Sequence, residues 1–147
     1  MRRQDQETIG EADTVERFRK VRADHRNETA EDYVELIDEF VRRDGEARPV
    51  DIAARFGVSP PTVNKILGRL RAEGLVTGRR YRGVFLTEAG QALAKQSRTR
   101  HATVVQFLRL LGVDDDTAQA DAEGIEHHVS DRTLAAFRRF IDRSKSG

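Results

Sequence analysis

Residues 49–74 read PVDIAARFGVSPPTVNKILGRLRAEG, and this stretch decides the fold. Pro49 suits the first position of a helix and Gly57 the end of one, so the spacing predicts a short helix between them. Ser59 and Pro60 open a second helix, in which Val63, Ile66, Leu67 and Leu70 form one apolar stripe. Two short helices joined by so tight a turn make a helix-turn-helix. Beyond Gly74, the apolar pairs Leu75-Val76 and Val84-Phe85-Leu86 flank a tip of Gly78, Arg79, Arg80, Tyr81, Arg82 and Gly83, the pattern of a two-stranded hairpin. In front, Thr29 to Asp32 has the form of a capping box, and Tyr33, Ile37, Phe40 and Val41 share a helical face up to Asp44 and Gly45, which predicts a helix over about 30–43. Helix, helix, turn, helix, hairpin is the order of a winged helix-turn-helix, whose last helix enters the major groove of DNA.

Working outward, Thr87 caps a long helix expected over about 88–111, and two more follow over 114–128 and 130–143. Residues 1–28 are polar, with Val15, Phe18 and Val21 at helical spacing, and read as a frayed terminus followed by a short helix. The expected fold is mainly α. An N-terminal extension with a short helix (1–29) precedes a winged helix-turn-helix DNA-binding domain (30–87) and an all-helical metal-binding and dimerisation domain (88–147). A length of 147 residues allows one domain or two small lobes sharing a core. The absence of cysteine removes disulfides, Cys-ligated zinc, iron–sulfur clusters and thiol nucleophiles together. No apolar run approaches the roughly 18–20 residues of a membrane span, and the first twenty residues lack the apolar stretch of a signal peptide. The expectation is a soluble, cytoplasmic chain with no membrane partner.

A formal net charge of +1 hides a segregation. Between Arg42 and Arg82 there are ten Lys/Arg and four Asp/Glu, whereas Val113 to Asp131 holds seven acidic residues and no Lys or Arg. A basic segment suits a polyanion and an acidic one suits a cation, although solvated faces carry such runs too. On the second short helix, Pro61, Thr62, Asn64, Lys65, Arg69 and Arg71 fall outside the apolar stripe. Small or amide-bearing groups near the start of that helix can reach base edges, while Lys65, Arg69 and Arg71 can hold phosphates. Arg79, Arg80 and Arg82 add three cations at the wing tip.

In the acidic segment, Glu123, Glu126 and His127 are spaced i, i+3 and i+4 and share one helical face, with His128 turned away. Asp32 and Glu35, three apart, sit beside the apolar stripe of their own helix, and His101 leans toward the core boundary of the long helix. Each alone is commonly a satisfied surface group; His25 reads as one. Together, four carboxylates and two imidazoles form an oxygen-rich set whose charge can balance two divalent cations. Such a set favours Mn²⁺ or Fe²⁺ over Cu(I) or a closed structural zinc site.

At these residues the sequence resembles the DtxR/MntR family of metal-dependent transcriptional repressors. The likeness rests on AEDYVE at 30–35, VDIAA at 50–54, TVNK at 62–65, YRGV at 81–84 with Leu86 and Thr87, Arg100 with His101, and above all DAEGIEHH at 121–128. It implies that Asp32, Glu35, His101, Glu123, Glu126 and His127 hold a binuclear Mn²⁺ centre with bridging carboxylates, two ions per subunit. It also implies a homodimer, built from the helices after the wing, that binds a palindromic operator in double-stranded DNA and represses manganese-uptake genes. Iron-sensing relatives carry Met and Cys where Asp32 and Glu123 stand, which favours manganese and leaves Fe²⁺ as the alternative signal. Those relatives also tend to carry a C-terminal SH3-like domain, which is not expected here. Leu134, Phe137, Phe140 and Ile141 give the last helix an apolar stripe that suits a dimer interface, or that packs on its own neighbours. No catalytic residue is expected. A small metallohydrolase would need a further acid/base group beside the six ligands and an open pocket, and a winged-helix regulator sensing an organic ligand would bind DNA indifferently to metal.

Overall fold

The computed structural model describes residues 2–78 and 83–146, with side chains described from Gly10 onward. The order is α1 (Arg2–Asp44), α2 (Pro49–Phe56), α3 (Pro60–Ala72), β1 (Val76–Thr77), β2 (Phe85–Leu86), α4 (Glu88–Leu110), α5 (Asp115–His128) and α6 (Asp131–Ser146). The molecule is mainly α, a winged helix-turn-helix followed by a helical half. None of the described helices is long and apolar enough to cross a membrane.

One expectation is corrected. There is no separate short helix upstream and no new helix beginning near residue 30, because α1 runs unbroken from Arg2 to Asp44. The Thr29 hydroxyl, expected to cap a new start, instead donates back to the His25 carbonyl at 3.2 Å, one turn earlier. No proline interrupts residues 2–44, and the pairs Asp13–Arg17 and Lys20–Asp24 lie at helical spacing along the exposed half.

The first core gathers Tyr33, Ile37 and Phe40 of α1, Ile52 of α2, Val63, Leu67 and Leu70 of α3, and Val76 and Val84 of the wing. Tyr33 stacks on Phe56 with ring centroids 4.8 Å apart, fixing α2 against α1. Gly57, at φ 67°, closes α2 in the left-handed conformation that lets the chain turn into α3. The Ser59 hydroxyl then caps α3 by accepting from the Thr62 amide. The wing pairs Val76 with Leu86 and Thr77 with Phe85 in antiparallel register, and Ala47 adds a bridge to Val84. Its expected tip residues Arg79, Arg80, Tyr81 and Arg82 lie outside the described residues. At the start of α4, the Gly90 backbone lies against the Leu75 carbonyl; a Cβ there would stand 2.1 Å from that oxygen. Glycine therefore sets how closely α4 leaves the winged-helix lobe.

The second core joins Val104 and Val105 of α4, Ala118 and Ala122 of α5, and Leu134 of α6. Phe137 stacks flat on Phe107 at 4.0 Å, with Phe140 edge-on to the same ring at 5.4 Å. The apolar stripe of α6 is thus partly covered within the chain: Leu134 and Ile141 are buried, whereas Leu110 and Leu111 at the end of α4 are exposed. α1 packs against both α4 and α5, so the polar residues between the two cores lie where the halves meet.

Candidate metal centre and nucleic-acid interface

Three helices converge on one acidic interface. α5 is oriented there by Arg100, whose guanidinium donates to the carbonyls of Glu126 and Val129 at 3.1 and 2.5 Å and so satisfies the end of the helix. The last turn of α5 then presents Glu126, 1% exposed, and His127, 5% exposed, to α1 and α4. His101 of α4 reaches across with Nδ1 2.8 Å from Glu126 Oε2 and 3.5 Å from Glu123 Oε1. Asp32 of α1 comes from the other side, its Oδ1 3.1 Å from His127 Nε2. Glu35, one turn on, lies close enough to Glu123 and Asp32 for their charges to act on it. All six residues singled out by helical spacing meet at this interface.

The electrostatics are those of a site crowded with negative charge. Burial pushes the Glu126 carboxyl up to about 7, with Glu123 and Glu35 adding to the rise and His101 and His127 opposing it. Burial also raises Glu35, against the neighbouring Ser97 hydroxyl. For His127 burial disfavours the charged ring, but the carboxylates of Asp32 and Glu31 outweigh it and push the group up to about 10. For His101 burial again opposes the charge, and Gln119, Glu126 and Glu123 prevail, raising it. In the metal-free protein, protons therefore sit among the carboxylates.

The donor chemistry fits a divalent cation. Glu126 Oε1 and His127 Nε2 face each other at 3.3 Å, both buried, with Asp32 Oδ1 3.1 Å from the same nitrogen, and Glu126 Oε1 has no hydrogen-bond partner of good geometry. A buried polar atom left unpaired costs about 1–3 kcal/mol, a penalty that a cation held at Glu126 Oε1 would remove. The distal ring nitrogens are already engaged. His127 Nδ1 is hydrogen-bonded to Glu31, and His101 Nε2 lies 2.8 Å from Gln119 Oε1. Such bonds fix the tautomer and turn the other nitrogen toward an ion. Sequence spacing did not single out Glu31 or Gln119. The available signal was position, since Gln119 precedes Glu123 by four and Glu31 precedes Glu35 by four. Beside the centre, a cavity of about 740 Å³ is lined by Glu35, Asp38, Arg98, His101 and Glu123 among others. Its Asp38 is held by Arg98 at 2.5 Å and Arg42 at 3.2 Å.

On α3, Pro61, Thr62 and Lys65 are exposed and Asn64 is half-buried. The Thr62 hydroxyl is shared with Ser59 at 2.9 Å in the helix cap. Arg69 turns back toward α1, donating to the Arg26 carbonyl at 3.2 Å and lying 3.5 Å from Glu73. Arg71 is half-buried. Arg79, Arg80 and Arg82 are outside the described residues. Lys65 is thus the α3 cation standing most clear of the lobe.

The family model for the iron dependent repressor N-terminal DNA binding domain matches residues 26–84, and that for the iron dependent repressor metal binding and dimerisation domain matches residues 87–146. The chain is 54% identical over 135 residues to the transcriptional regulator MntR of Escherichia coli O157:H7, covering 92% of this chain and 87% of that protein. It is 54% identical over 129 residues to the transcriptional regulator MntR of Salmonella typhimurium strain LT2, covering 88% and 82%. Among solved structures, the manganese regulator SloR superposes with a TM-score of 0.66 at 32% identity, over 77% of this chain and 53% of that one. The chain thus spans about half the length of that solved relative.

Proposed function

The chain belongs to the DtxR/MntR family of metal-dependent transcriptional repressors, and we propose from that premise that it is a Mn²⁺-responsive repressor of manganese-uptake genes, working in the cytoplasm as a homodimer on a palindromic operator. The observation that carries this reading is the carboxylate-rich centre between α1, α4 and α5, with the buried His127 Nε2 facing Asp32 at 3.1 Å and the buried Glu126 Oε1 at 3.3 Å. Asp32, Glu35, His101, Glu123, Glu126 and His127 are the residues to hold two Mn²⁺ per subunit. Bound there, the ions supply positive charge that neutralises the facing carboxylates. The names of the relatives and of the superposed structure favour manganese over Fe²⁺.

The mechanism follows from what α1 carries. Its Tyr33, Ile37 and Phe40 belong to the winged-helix core, while Asp32 and Glu35 face α5. Relief of carboxylate repulsion would let α1 stay against α5, and α3, which shares the winged-helix core with α1, would be positioned with it. In a dimer this fixes the separation of two α3 helices, which then address successive major grooves. Pro61, Thr62, Asn64 and Lys65 are the residues toward base edges and phosphates, joined by Arg69, Arg71 and the wing arginines Arg79, Arg80 and Arg82. Arg69 must leave its contacts with Arg26 and Glu73 to take part. We read the chain as a regulator: among the carboxylates lining the neighbouring cavity, Asp38 is paired with Arg98 and Arg42, and Glu39 with Arg55.

The test is Mn²⁺-titrated fluorescence anisotropy on operator DNA at fixed salt. Glu123→Ala, at an exposed position, is expected to weaken the Mn²⁺ response on the order of a hundredfold or more with unchanged helical circular dichroism. An unaltered response would remove Glu123 from the centre. Tight binding in chelator would instead favour a regulator that senses an organic ligand.

A further inference from the structure

Next to the centre lies a second group of ligand-type side chains, which the Mn²⁺-responsive repressor does not use. His25 and Glu28 stand one turn apart on α1, and His128 comes from the end of α5, pointing away from the centre. Glu28 Oε2 is 3.3 Å from His25 Nδ1 and 3.1 Å from His128 Nε2. One ligand atom from each residue lies within 4.8 Å of the other two. We propose that His25, Glu28 and His128 form a separate metal site that takes a zinc-class cation and ties the upstream half of α1 to the end of α5.

The geometry and the donor set both point this way. In a tetrahedral site with bonds of about 2.0–2.1 Å, neighbouring ligand atoms stand about 3.3–3.4 Å apart, close to the two separations from Glu28 Oε2. Two imidazoles and one carboxylate make a nitrogen-rich set, unlike the carboxylate-rich centre, and such a set suits Zn²⁺ better than Mn²⁺. Three protein ligands leave the fourth position to water. The backbone at His128 is also tied to α1. Asp24 Oδ2 lies 3.9 Å from His128 Nδ1, the nitrogen away from Glu28, and Lys20 holds Asp24 at 2.6 Å while donating to the His128 carbonyl at 3.3 Å. Glu28 borders both places, since another grouping joins it to Asp32 and His127.

The experiment counts Zn²⁺ against a chromophoric chelator and uses Co²⁺ as the visible probe of tetrahedral ligation. His25 has 64% of its side chain exposed on a helix, so His25→Ala leaves folding intact. Expected is one fewer Zn²⁺ equivalent than in the unchanged chain, or at least a tenfold weaker last equivalent, with loss of a tetrahedral Co²⁺ band and an unchanged number of bound Mn²⁺. The same difference must appear between Glu123→Ala and the double variant Glu123→Ala/His25→Ala, which separates this site from the carboxylate-rich centre. Glu28→Gln must reproduce the loss. Equal Zn²⁺ counts and affinities with and without His25, in either background, overturn the proposal.

Discussion

Raised as they are, Glu126 and His127 carry protons that a divalent cation bound by them would have to displace, and this gives the proposed centre a pH dependence of definite sign. Both groups have folded values above their ordinary 4.5 and 6.5, at about 7 and about 10. Each raised group stabilises the metal-free fold fully below its ordinary value, and that contribution is lost as pH rises through about 7 for Glu126 and about 10 for His127. Metal binding runs the other way, because both ligands must be deprotonated. The gap in Tm between Mn²⁺-loaded and chelator-treated protein is therefore expected to widen from about pH 6 to about pH 8 in differential scanning fluorimetry at fixed Mn²⁺. A gap that is flat or narrows with pH would contradict the assignment of these two residues as ligands. At this scale the sequence was informative about the six ligand-type residues, because helical spacing alone puts Glu123, Glu126 and His127 on one face. It was silent about Glu31 and Gln119, whose importance lies in which ring nitrogen they occupy across an interface.

α1 is the element whose extent the sequence concealed. Its downstream half buries Tyr33, Ile37 and Phe40, whereas Val15, Phe18 and Val21 upstream are 48%, 60% and 45% exposed. With so little to bury, the upstream half has no sustained apolar stripe of helical period, and a periodicity argument ends the helix where the core ends. Thr29 then takes on the look of a cap by its position next to Glu31 and Asp32. Substitution separates the two arrangements. If a helix began after Thr29, Ala30 would occupy its first position, where proline is tolerated. In a continuous helix, Ala30→Pro removes an internal hydrogen bond and clashes with the preceding turn, costing about 3 kcal/mol or more. Urea denaturation of the Ala30→Pro protein is expected to register that loss together with reduced helical circular dichroism; a stability within about 0.5 kcal/mol of the unchanged chain would mean that α1 is broken there. The other helices needed no such correction, since Pro49, Gly57, Ser59, Thr87 and Asp114 mark their ends by local chemistry that packing does not override.

For the molecule as a whole, the division of labour follows the division of charge. The basic segment forms the α3 side of the winged-helix lobe, the acidic segment forms α5, and α1 belongs to both by lending its apolar face to one and its carboxylates to the other. A device of this kind would report metal by arrangement, so the phosphate contacts are best counted with the metal sites saturated and the coupling read at limiting metal. The slope of log affinity against log salt falls by about 0.9 for each phosphate contact removed. Lys65, exposed on α3, occurs once per chain, so a dimer seated on both half-sites carries two. Measured on operator DNA at saturating Mn²⁺, Lys65→Ala is expected to reduce the magnitude of that slope by about 1.8, twice the single-contact value, and, at limiting Mn²⁺, to raise the Mn²⁺ concentration at half-response. A reduction of about 0.9 would mean that one lobe of the dimer engages DNA at a time. No change in slope would take Lys65 off the phosphates, whereas a Mn²⁺ midpoint untouched by the weaker DNA binding would mean that contacts on α3 and ligation at α5 are independent, against the lever that α1 provides.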